Sequence, residues 1–173
     1  LGDVYKRQIM GDNGKLYAGV PESTIGLMRS LVECADYAVP NYTEACLLTD
    51  TPIAEEITAD EVRALVDAML ALGTKSVVIT SAKVDGASAV VGYDHVAGEY
   101  FEIPFELIPV YFPGTGDTFS AVLMGRVMSG WSLQRATADA MRVVAELIER
   151  NADQEDKSAG LPIEACLDVI DHE

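Results

Sequence analysis

The chain of 173 residues is long enough for one α/β domain with its own core. Its 49% hydrophobic and 23% charged residues fit a globular protein, and no apolar run approaches the roughly 20 residues that cross a bilayer. A net charge of −16 excludes the clustered Lys and Arg of a nucleic-acid surface. It leaves anionic small ligands open, because backbone amides at a helix start can bind them inside an acidic protein.

The leading segment Leu1-Gly-Asp-Val-Tyr-Lys-Arg-Gln8 has no apolar core of the kind a signal peptide needs. It runs without a cap into Ile9-Met-Gly-Asp12, so residues 1–8 are expected to be a cloning or assembly scar and 9–173 the native portion. Ala35–Val39 is a short strand candidate, and Pro40-Asn41 opens a helix through Leu48. Thr58 and Glu61 have capping-box spacing, Val62, Leu65, Val66, Met69 and Leu70 follow at helical intervals, and Gly73 stops the helix. The β-branched run Ser76–Thr80 predicts a strand buried on both faces.

A β-rich stretch follows in three pieces, Ser88–Val91, Tyr100–Ile103 and Leu107–Val110, with Gly92–Gly98 as the turn between the first two. A glycine-rich loop at 113–117 leads into a helix beginning near Asp117. A long helix carries Leu133, Ala136, Ala140, Val143, Val144, Leu147 and Ile148 on one face, the polar run 151–158 is a surface loop, and Pro162–Leu167 is a short helix. Alternation of this kind predicts a layered α/β fold, a mostly parallel sheet flanked by helices. Cys34, Cys46 and Cys166 are far apart, with only His95 and His172 as imidazole partners, which is neither a zinc pattern nor a disulfide framework. Cys46 is expected to be a buried thiol, and a reducing cytoplasm suits the set.

The chemistry is expected at Pro113-Gly114-Thr115-Gly116-Asp117. Two glycines permit a tight turn, and the helix start behind it offers unpaired amides and a dipole to an anion. An acid there opposes a bound phosphate, unless its task is to take a proton from an attacking hydroxyl. A plain helix N-cap is an equally good reading of Asp117 from its neighbours alone.

The run "PGTGDTFSAVLMG" resembles the anion-hole signature of the ribokinase-like kinases. Three further segments, "IMGDNGKLY", "ADYAVPNYTEACLLTD" and "SVVITSA", resemble in order and spacing the pyridoxal and pyridoxamine (vitamin B6) kinases of that superfamily. The resemblance implies the carboxy-terminal part of a ribokinase-like fold and ATP-dependent phosphorylation of the vitamer's hydroxymethyl group. By it, Asp117 would be the general base, and Gly114, Thr115 and Gly116 would line the anion hole. Asp12, Asn41, Glu44, Thr80 and Ser81 would serve ATP, with Glu44 and Asp12 near Mg²⁺. Without it, Glu44 reads as a first-turn helix acid, Asp12-Asn13-Gly14 as a turn, and Ser81 as a hydroxyl satisfying backbone.

The family pattern has Asp-Pro where this chain has Arg7-Gln8, and its opening strands and most ring-holding residues would lie upstream. Alone, this extent of chain is therefore expected to show little or no activity, and the full-length protein is expected to be a homodimer. The related hydroxymethylpyrimidine kinases typically carry Cys in place of Asp117, so Asp favours the B6 branch. An inactive nucleotide-binding fragment is the remaining alternative.

Overall fold

A computed structural model describes residues 5–6 and 10–170, the first pair by backbone alone. The elements in order are β1 (Tyr5–Lys6), β2 (Gly11–Asp12), β3 (Lys15–Leu16), α1 (Ser23–Glu33), β4 (Tyr37–Ala38), α2 (Tyr42–Thr49), α3 (Ala59–Ala71), β5 (Ser76–Val84), β6 (Ala87–Asp94), β7 (Glu99–Phe105), α4 (Thr115–Met128), α5 (Leu133–Arg150) and α6 (Leu167–Ile170). They form two compact units, Leu1–Glu106 and Leu107–Glu173.

The first unit holds a five-stranded sheet in the order β1-β4-β5-β6-β7 and the separate β2-β3 hairpin. The α/β class is as expected, but the sheet is mixed rather than mostly parallel. β1-β4 and β4-β5 pair in parallel, whereas β5-β6 and β6-β7 pair antiparallel. Connection length explains this. Parallel neighbours need a crossover, which runs through α1 between β1 and β4 and through α2 and α3 between β4 and β5, while a two-residue link can only make a hairpin. Asp85 and Gly86 provide that link, both at positive φ (46° and 88°), the conformation of a twist-matched hairpin turn. The Asp-Gly pair thereby carries β5 four residues beyond the expected Thr80.

One face of this sheet is covered by α2 and α3. Val62, Leu65, Val66 and Met69 of α3 pack with Val77, Ile79, Ala89 and Val91 into one core. Both helices begin with full capping boxes, Asn41 with Glu44 and Thr58 with Glu61. Cys46 is fully buried in that core, and burial pushes its thiol up, with Tyr42 pulling the other way. It is the inert structural thiol expected. Helix α1 has no counterpart in the expected element list, although Ile25, Met28, Arg29 and Val32 have helical spacing.

In the second unit α4 and α5 form an antiparallel pair with Leu123, Ala136, Ala140, Val143 and Leu147 buried between or beside them. Asp139 takes Arg126 at 2.8 Å and Arg142 at 2.9 Å, tying the two helices together. Arg150 reaches Asp168 at 2.6 Å and holds α6 on α5. Leu107–Val110 is not a strand. Its apolar, β-branched composition suggested one, but Pro109 lacks the N–H that a ladder requires. The junction expected after residue 8 lies outside the described residues, as do residues 1–4; the backbone of Tyr5–Lys6 pairs with β4.

Candidate active site

Five of the residues picked from sequence come together in the first unit, where the chain leaving the carboxyl end of β4 runs beside the middle of β5. Open α/β sheets bind ligands at such ends. Beyond β4 the chain stays alongside β5, since the Thr80 amide donates to the Pro40 carbonyl at 3.0 Å and Asn41 bridges Thr80 in parallel. On its other side β5 bulges. Ile79 pairs with Val91 and Ala82 with Ala89, so Thr80 and Ser81 oppose the single residue Val90. Ser81 stands at φ 59°, a left-handed conformation rare for a residue with a Cβ. The bulge leaves Ser81 exposed and Thr80 half-buried, so both hydroxyls are at the rim.

Asp12 reaches this region on the β2-β3 hairpin. Asn13 and Gly14 form its two-residue turn, at φ 50° and 77°. Gly11 must be glycine, because a Cβ there would lie 2.5 Å from the Lys15 carbonyl oxygen. The turn reading of Asp12-Asn13-Gly14 is therefore right about the backbone, and Asp12 is left half-buried with Oδ1 accepting from the Asn13 amide at 2.8 Å.

The first turn of α2 fixes this hairpin. Asn41 Oδ1 accepts from the Glu44 amide at 2.9 Å, and its Nδ2 donates to the Gly11 carbonyl at 2.8 Å. Glu44 is 3% exposed; its Oε2 accepts from the Asn41 amide at 3.0 Å and its Oε1 from the Met10 amide at 2.9 Å. Sequence reasoning missed Thr43, whose Oγ1 accepts from the Gly14 amide at 3.0 Å. Its position inside the Asn41–Glu44 box was visible, but nothing in the sequence says which amide lies opposite.

In the second unit Gly114 is the N-cap of α4, at φ 87° and without a side-chain cap bond. Asp117 is consequently the third residue of the helix. That removes the N-cap reading, and its physical reason is the left-handed Gly114, which turns the chain into the helix three residues earlier than Asp117. Thr118 Oγ1 donates to the Gly114 carbonyl at 3.2 Å and Ser120 Oγ to that of Gly116 at 2.9 Å, so both hydroxyls are engaged by backbone carbonyls one turn back along the helix. Gly114, Gly116 and Asp117 are exposed and Thr115 half-buried. The buried ring of Phe112 and the close approach of Gly160 to the Pro113 carbonyl hold the start of the loop.

A model of the phosphomethylpyrimidine kinase family matches residues 17–161, a span that includes both the Asn41–Glu44 box and the 113–117 loop. The chain belongs to the phosphomethylpyrimidine kinase family. Pyridoxal kinase of Arabidopsis thaliana is 33% identical over 172 residues, covering 93% of this family member and 52% of the plant protein. A Bacteroides thetaiotaomicron structure provisionally assigned as a phosphomethylpyrimidine kinase is 31% identical with a TM-score of 0.89, covering 95% of this chain and 57% of that one. Its second crystal form contains pyridoxal and gives a TM-score of 0.86 over 94% and 58% of the two chains. Pyridoxal kinase from Leishmania donovani, in complex with ADP and pyridoxamine, is 25% identical with a TM-score of 0.73 over 94% and 55%. The fold is thus the ribokinase-like one expected. This family member spans about half the length of the curated relatives it matches most fully.

Proposed function

We propose that the protein acts in ATP-dependent phosphorylation of the hydroxymethyl group of a B6 vitamer, pyridoxal, pyridoxamine or pyridoxine, with Asp117 as general base. The observation that carries this reading is the start of α4. An exposed glycine turn without a side-chain cap presents helix amides, and a carboxylate stands in the first turn beside them. Such amides suit the charge on a transferring phosphoryl group. The carboxylate would accept the hydroxyl proton as that oxygen attacks the γ-phosphorus and ADP leaves. The choice of acceptor is supported by the likeness to pyridoxal kinases and to a structure holding pyridoxal.

In this reading Gly114, Thr115 and Gly116 line the anion hole, while Asp12, Asn41, Glu44, Thr80 and Ser81 serve the nucleotide. Among the described residues no group of three or more His, Cys, Asp or Glu could cage a metal. The donor set suits Mg²⁺, which is usually held by one or two carboxylates, waters and substrate phosphates. Asp12 would face it, and Glu44, with an amide on each oxygen, would act through water. When bound, Mg²⁺ supplies charge neutralisation at the phosphates. The three free thiols suit a reducing compartment such as the cytoplasm, and a homodimer is proposed for the full-length protein.

The family's description favours a second reading, a pyrimidine carrying a hydroxymethyl group as acceptor. Incubating the full-length protein that carries this chain with ATP and each B6 vitamer or hydroxymethylpyrimidine, then measuring ADP and phosphorylated product, separates the two. Product from a B6 vitamer is expected; product from the pyrimidine alone overturns the first reading.

A further inference from the structure

The two-residue turn of the β2-β3 hairpin leaves two amides without a strand partner: that of Asn13 donates to Asp12 Oδ1 at 2.8 Å, within the hairpin, and that of Gly14 must look outside it. In such a turn the flanking residues Asp12 and Lys15 pair with each other, whereas the second turn residue points its N–H outward. That N–H finds Thr43 Oγ1, at 3.0 Å, on a side chain 4% exposed. The hairpin is otherwise tied down on the strand side, by Asn41 Nδ2 to the Gly11 carbonyl and by the Met10 amide to Glu44 Oε1. Those two bonds hold its base. Among the described residues, the hydrogen bond that reaches its tip from outside the hairpin is the one to Thr43, and Asp12 lies between base and tip.

We propose that Thr43 is a positioning residue that fixes the tip of the hairpin and so sets the direction in which Asp12 presents its carboxylate to a metal–nucleotide complex. The claim about the ligand rests on the kinase reading above; the claim about the hairpin does not. Without the Thr43 hydroxyl, Gly14 is exposed enough for water to satisfy its amide, so the turn persists but swings. Asp12 then spends part of its time off target, and metal-dependent nucleotide binding weakens while metal-free binding does not.

Thr43→Val keeps the shape and removes the acceptor; Thr43→Ser restores it. Two quantities are read on the full-length protein that carries this chain, as wild type and both variants: exchange of the Gly14 amide with deuterium by NMR, and the Kd of ATP by calorimetry with Mg²⁺ and with EDTA. The loss of one net hydrogen bond corresponds to about a fivefold effect. Thr43→Val is expected to speed Gly14 exchange about fivefold or more and to raise the Kd with Mg²⁺ about fivefold. The Kd in EDTA should stay within about twofold, and Thr43→Ser should revert both effects. Unchanged Gly14 exchange in Thr43→Val overturns the positioning claim whatever the binding does. Equal weakening with Mg²⁺ and EDTA overturns the link to Asp12 and the cation. A wild-type protein that binds no nucleotide under either condition overturns the kinase reading instead, and the exchange data then judge the hairpin by themselves.

Discussion

Asp117 lies three residues past the N-cap of α4, and that offset decides what its charge can do. An N-cap side chain closes over the helix start; at α4 that place belongs to Gly114, which has no side chain, and Asp117 stands in the first turn. Replacing it with Asn removes one charge from a helix start, costing the fold only about 0.3–1 kcal/mol. Removing a general base costs far more, about 10²- to 10⁴-fold in rate. In the full-length protein, Asp117→Asn is therefore expected to cut kcat for the B6 vitamer at least about a hundredfold, with nucleotide affinity unchanged or slightly improved as the repulsion on phosphate falls. Wild-type turnover in the variant would remove Asp117 from the role. All nine candidate residues were legible in the sequence because each lies in a motif of fixed spacing. Their hydrogen bonds were not. Glu44 reads as a first-turn acid, yet the amide it shares with Met10 comes from 34 residues away, a contact no local pattern encodes.

At the scale of elements, α2, α3 and the three long strands were readable from capping pairs and β-branched runs. The extent of β5 and the antiparallel pairing that follows depended on Asp85-Gly86, a two-residue hint inside a longer apolar context. Leu107–Val110 misled for the opposite reason, its composition outvoting one proline. Glycines in these elements differ sharply in what they permit. A Cβ on Gly92 would meet the Val77 carbonyl oxygen at 2.4 Å and the Phe101 ring at 2.6 Å, whereas one on Gly125, inside α4, meets nothing within 4 Å. Urea unfolding should show Gly92→Ala destabilised by about 1–3 kcal/mol and Gly125→Ala stabilised by about 0.5–1 kcal/mol. Equal effects of one sign would contradict the packing described.

The tie between α4 and α5 makes a pH prediction. Burial alone would raise the Asp139 carboxyl, but hydrogen bonds and charge from Arg126 and Arg142 outweigh it and hold the group below the usual carboxylate range. A lowered folded value means that the unfolded chain binds the proton more readily. The stability contributed is complete above the unfolded value of about 3.9 and is lost as pH falls through the lower folded one. Asp139→Asn should accordingly flatten the acid limb of a urea-midpoint profile taken from about pH 5 to 2.5. Parallel profiles for the two proteins would show that Asp139 does not drive it.

Over the whole molecule, the mixed sheet divides the chain by how far apart its partners lie. β5, β6 and β7 are joined by links of two and four residues, and such hairpins close in about 1–10 μs. Pairing of β4 with β5 waits for α2 and α3 to be laid down, and β2-β3 must then find the first turn of α2. Contacts between distant segments cost more loop entropy before they repay it, so they form late. Pulsed hydrogen exchange during refolding should protect the β6 and β7 amides in an earlier phase than Thr80, Met10 and Gly14; protection of all of them in one phase would refute that order. The meander would then fold as the nucleus on which the rest of the unit assembles. The junction of the β2-β3 hairpin with the first turn of α2 would be the last assembled and the first to open, and substitutions there would reach the unfolding rate more than the folding rate.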